Sequence, residues 1–204
     1  MPAWLTEPEY RTLEAALDRL VPPGPEDPAT GEPAAGAREA GVAGYLDTLL
    51  GAFTFHPPRI WAGGPTSGRA GGEAAFGRFH ELGALDELAW RTRIEGSQGR
   101  PEREFNGPVV GLQQRYREGL ASLGGDFAEV GPEAQDERLE AAGAFTELLY
   151  EHACEGMYGA PEYGGNRDLA GWRGIGFAGD VQPRGWTDAE VTSPEVTGPE
   201  AAGR

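Results

Sequence analysis

Lysine is absent from this 204-residue chain; all 17 of its basic residues are arginine. No side chain here can form a lysine Schiff base or complete a Walker-type phosphate loop. A single cysteine, Cys154, rules out an internal disulfide and leaves a small buried hydrophobe or a thiol that pairs between chains. Basic charge is scarce: Asp and Glu outnumber Arg 33 to 17, for a net charge of −16. That excess argues against nucleic acid, whose phosphates need a basic footprint, and against an anionic membrane surface. No run reaches the roughly 18 apolar residues that a membrane-spanning helix needs, so no direct membrane insertion is expected. The opening MPAWLTEPEY has neither a basic n-region nor an apolar h-region, so no signal peptide is expected either. Alternation with period two, the mark of a half-buried strand, is nowhere sustained.

Helical periodicity is what remains. A chain of this length buries about 70% of its unfolded surface, enough for a core without metals or disulfides. Thr6 and Glu9 fit a capping box, and Tyr10, Leu13, Leu17 and Leu20 follow as one stripe, stopped by Pro22 and Pro23. A second helix is predicted over about residues 40 to 53, with Val42, Leu46, Leu49 and Phe53 on one face. A third covers about 84 to 94, with Leu85, Leu88 and Trp90. A fourth follows Pro108 and carries Val109, Leu112, Tyr116, Leu120 and Leu123. A short helix from Pro132 to Ala142 is opened by its proline. The last, about 144 to 157, places Phe145, Leu148, Leu149, His152, Ala153 and Met157 on a wide apolar face. The predicted fold is all-α: a small irregular bundle with long Gly/Pro-rich loops and an extended C-terminal segment. One domain is expected over residues 1–186, with long loops at 22–40 and 56–75 and a flexible tail at 187–204.

Reactive constellations do not assemble from the motifs. Gly171, Gly174 and Gly176 have the reverse of the dinucleotide spacing, and a helix precedes rather than follows them. Gly164 and Gly165 suit a tight turn with positive φ, and Asn166 tolerates the same region. His152 and Glu155 could supply half of a metal site, but no second such pair occurs, and His56 and His80 lie far off in sequence. Cys154 and His152 are two apart on a helix and point away from each other, so they are not a dyad. No serine sits in a nucleophile elbow, and no acid–base pair of carboxylates is identifiable. Catalytic, cofactor-binding and metal residues are therefore assigned to none.

Aromatic residues on glycine-rich loops are left over. Trp61, in the unpatterned stretch HPPRIWAGGPTSGRAGG (56–72), looks like an anchor, and Tyr158, Tyr163, Trp172, Phe177 and Trp186 also lie mostly outside regular helices. Such rings either anchor a partner or pack the C-terminal loops onto the bundle.

The stretch HACEGMYGAPEYGGNRDLAGWRGIGFAGD, residues 152–180, resembles the signature of the gluconate 2-dehydrogenase subunit 3 family. The matching positions are Glu155-Gly156, Pro161, Tyr163-Gly164-Gly165-Asn166, Gly171-Trp172 and Ile175-Gly176-Phe177 with Gly179. The opening helix ending in LVPP and the later AGVAGYLD are similar to the family's N-terminal part. The resemblance implies a non-catalytic small subunit without a cofactor of its own. Its partner would be a large flavoprotein of the glucose–methanol–choline (GMC) type holding FAD, with a cytochrome subunit completing some complexes. It also implies help in maturation and export, often with a twin-arginine signal; none precedes Trp4. Trp61, Tyr158, Pro161, Tyr163, Gly164, Gly165, Asn166, Trp172 and Phe177 are the expected partner-interface residues. A stand-alone interaction module with another partner, or a cofactor- or metal-dependent enzyme, stays open as an alternative.

Overall fold

The computed structural model describes residues 2–25, 31, 33–60 and 79–177. Among these residues there are seven α-helices joined by turns and short 3-10 segments, and no strand, in agreement with the predicted all-α bundle. Trp61, Trp186, Gly179, most of the 56–75 loop and the 187–204 tail lie outside the described residues.

The first helix, α1 (Glu7–Leu20), starts as its sequence dictates. The Thr6 hydroxyl accepts from the Glu9 amide, and the Glu9 carboxylate accepts from the Thr6 amide at 2.8 Å. These reciprocal bonds satisfy amides that the first turn leaves without helical partners. Leu13, Ala16 and Leu17 are buried along α1, whereas Tyr10 and Leu20 are half-buried at its edges. The connector after Pro23 is less of a spacer than its composition suggests. Ala37 and Ala40 are fully buried, and the Ala37 amide donates to the Val21 carbonyl at 2.9 Å.

Helix α2 (Val42–Leu50) ends earlier than the predicted 53, and a 3-10 turn, Ala52–Thr54, completes the segment. Its buried stripe is Val42, Ala43, Leu46 and Leu50; Leu49 and Phe53 sit at the margin. Asp47 is buried too. Its carboxylate accepts from the backbone amides of Ala3, Trp4 and Leu5, the last two at 3.0 and 2.8 Å, and so ties the first residues down onto α2. Three charge-assisted bonds of this kind offset the cost of burying the carboxylate.

Helix α3 (Ala84–Glu95) departs most from its predicted face. Only Ile94 is buried, and Leu85 is 80% exposed. The chain then loops back, and buried Arg103 bridges the Glu95 carboxylate at 2.9 Å and the Gly96 carbonyl at 3.0 Å. Val109, expected on the next helix, instead lies before it and pairs with Ser97 through both backbone and hydroxyl. Helix α4 (Leu112–Leu123) keeps the rest of its stripe buried: Leu112, Tyr116, Leu120 and Leu123. Helices α5 (Pro132–Ala142) and α6 (Ala144–Tyr158) follow, and all six apolar-face residues predicted for α6 are buried. Helix α1 packs against α2, α4, α5 and α6, so the core forms around it. No helix among the described residues is long and apolar enough to cross a membrane.

Candidate functional site: the turn after helix α6

Helix α6 carries two tyrosine contacts of opposite character. On its buried side His152 Nδ1 lies 2.8 Å from the Tyr116 hydroxyl, with the two rings stacked 5.8 Å apart. Burial lowers the His152 pKa below its ordinary 6.5, because the imidazolium would lose its hydration. The same desolvation pushes the Tyr116 phenol well above its usual range. On the outer side Tyr45 of α2 donates to Glu155 Oε2 at 2.9 Å, and burial together with that carboxylate raises the Tyr45 pKa strongly.

Beyond α6 the chain turns back on itself. The Gly159 amide caps the helix by donating to the Glu155 carbonyl at 2.8 Å. A 3-10 turn, Pro161–Tyr163, leads into Gly164 at φ +99° and then to Gly165, which rests on α6. A Cβ on Gly165 would sit 2.2 Å from the Gly156 carbonyl oxygen, so no larger residue fits there without moving backbone. Gly171 is held as tightly, with 1.9 Å between a would-be Cβ and the Met157 carbonyl oxygen.

Asn166 locks these contacts together. It is fully buried, and its amide donates to the Gly156 carbonyl at 2.7 Å. Its side-chain NH2 donates to the Gly159 carbonyl at 3.0 Å. Its side-chain oxygen accepts from the Gly171 amide at 2.9 Å and the Trp172 amide at 3.4 Å. The next residue, Arg167, donates its amide to the Ala40 carbonyl at 3.0 Å, joining the turn to the connector before α2. A five-residue helix, α7 (Ala170–Gly174), follows in what was expected to be irregular chain. Trp172 on α7 is buried, and its indole Nε1 donates to the Tyr158 carbonyl at 2.7 Å.

This arrangement sorts the expected interface residues. Gly165, Asn166 and Trp172 are buried within the chain and shape the turn. Pro161 and Tyr163 are half-buried, and Tyr163 meets Phe79 edge-on at 5.9 Å. Gly164 is exposed, as are the side chains of Tyr158 and Phe177, and Phe177 packs edge-on against Trp172 at 5.1 Å. Beside the turn opens a cleft of about 550 Å³ whose walls include Tyr45, Leu49, Arg59, Trp90, Tyr158 and Tyr163. Cys154, a free and half-buried thiol, lines the same cleft.

Several groups that other chemistries would use are already engaged. The Gly171 amide, which a phosphate cradle would need, is engaged by Asn166. Glu155 holds Tyr45, and His152 Nδ1 meets Tyr116. Among the described residues no three His, Cys, Asp or Glu side chains are grouped so as to hold a metal ion. Sequence reasoning missed the Asp47 clamp and the Tyr116–His152 pair. Neither carries a local signal, since the partners are about forty residues apart in one case and 36 in the other.

Fold and site together define an all-α protein with a side-chain-locked turn after helix α6. The chain matches the family described as Gluconate 2-dehydrogenase subunit 3 over residues 7–179, and it belongs to that family. The description is that of a subunit of a dehydrogenase, and the matched span includes the whole turn. No curated protein and no solved structure matches the chain.

Proposed function

We propose that this chain is a non-catalytic small subunit that binds a large FAD-dependent flavoprotein of the GMC type and stabilises or matures it. FAD belongs to the partner, and a cytochrome subunit completes the complex in some members. The observation that carries the reading is the Asn166 lock, set within a dehydrogenase-subunit family. Its polar groups are turned onto the chain's own backbone, where they hold shape, while Tyr158 and Phe177 stay exposed beside it. A rigid surface binds with little ordering cost. Binding only the folded partner stabilises it by mass action, by about 2.7 kcal/mol when this subunit is present at 100 times its dissociation constant.

The test is co-expression of a GMC-type flavoprotein from the same genome with and without the subunit, followed by measurement of bound flavin and sugar-acid dehydrogenase activity. Both are expected to fall sharply without the subunit and with Tyr163→Ala. Full flavin occupancy in its absence would sink the reading.

A further inference from the structure

Two features of residues 158–177 are left over once the fold is accounted for. Apolar side chains are turned outward: Tyr158, Leu169, Ile175 and Phe177 are 44, 40, 60 and 48% exposed. The backbone is also forced. Asp168 and Leu169 take φ of +53° and +59°, in the left-handed region that non-glycine residues avoid. Asn166, at +46°, is compensated by its hydrogen bonds, and asparagine tolerates this region. Leu169 donates its amide to the Asn166 carbonyl at 2.9 Å, yet its side chain stays 40% exposed. Left-handed backbone at a leucine that gains little burial is local strain of the kind that clusters at functional sites.

Charge adds a third observation: residues 158–177 contain two arginines, Arg167 and Arg173, and two acids, Glu162 and Asp168, so the segment is neutral in a chain of net charge −16. Both arginines are exposed. Arg173 donates to the Asp168 carbonyl rather than to a carboxylate, and the Arg167 guanidinium lies over Gly41. The segment therefore carries exposed apolar side chains and two exposed arginines, without net charge, on an acidic protein. Tyr158 also lines the cleft, where Arg59 stacks on Phe55 and Phe79.

We propose that Tyr158, Leu169, Ile175 and Phe177, rimmed by Arg167 and Arg173, form the face that seats on the flavoprotein, and that the flavoprotein meets it with an apolar surface edged by carboxylates. This rests on the reading above. Charge complementarity names the occupant: a second copy would bring another net −16 against this one, whereas an acidic rim on a different chain pairs with the arginines and steers its approach.

The experiment measures affinity between the purified subunit and the co-expressed, separated flavoprotein, together with the melting midpoint of the subunit alone. Ile175→Asp, at an exposed site, is expected to weaken the complex about tenfold or more without lowering the midpoint. Leu169→Gly separates strain from contact. Glycine relieves the left-handed backbone, so the midpoint of the free subunit is expected to rise by about 2 °C while the complex weakens. A purely structural role for Leu169 would leave the affinity unchanged. Arg167→Glu with Arg173→Glu is expected to slow association and flatten its salt dependence. Wild-type affinity in all three variants, or a self-associated chain that Ile175→Asp makes monomeric, overturns this face as the flavoprotein's seat. A subunit on which the flavoprotein does not depend at all overturns the underlying reading instead.

Discussion

In the bundle, Leu13, Leu17, Leu46 and Leu149 are fully buried among side chains from several helices, so many small contacts share the work of holding it. In the turn after α6, one residue makes most of the connections: Asn166 reaches Gly156, Gly159, Gly171 and Trp172. Two glycines beside it have no space for a methyl group. The first region tolerates exchange among apolar residues of similar volume. The second has little redundancy, because each bond is directional and each replacement leaves a buried partner unpaired.

That contrast can be broken from either side. The largest effect is expected for Leu13→Ala, which removes a fully buried side chain from the helix that packs against four others; its cost is about 3 kcal/mol, read as a lower urea midpoint of the whole protein. Asn166→Ala should cost about 2 kcal/mol, and differently. Hydrogen exchange should speed up over 159–177 while the amides of α1 and α4 keep their protection. Uniform loss of protection would show that the turn and the bundle are one cooperative unit.

The smallest effect sharpens the comparison through pH. The His152 pKa is lowered by burial, so the unfolded chain takes up a proton at this site before the folded one does. Its contribution is present above the ordinary pKa of 6.5 and is lost as pH falls through the folded value. The urea midpoint should therefore drop between pH 7.5 and pH 5.5, and His152→Gln, which retains a partner for Tyr116, should reduce that drop. An unchanged slope in the variant would mean that other groups set the acid sensitivity.

Much of this was legible along the chain. The α1 capping box, the Pro132 start of α5 and the stripe of α6 are local patterns, and each helix formed where its pattern lies. Errors fell where neighbours in space decide. Leu85 belongs to a helical pattern, but only one side chain of α3 reaches the core, so that leucine stays outside. Leu50 replaces Leu49 in the core because the angle at which α2 meets α1 and α6 is not written in α2. Within the candidate site, sequence identified the turn and its glycines. It could not tell Trp172, which faces inward, from Phe177, which does not.

The sequence by itself determined the helices, their caps and stops, the absence of lysine chemistry and the family to which the chain belongs. These depend on residues a few positions apart, where backbone geometry fixes the spacing. Tertiary structure decided which aromatic rings are covered, that Asp47 clamps the opening residues, and that Asn166 serves as a lock. Each of those depends on groups brought together by packing, and packing is set by the summed burial of the whole core rather than by any one stretch of chain.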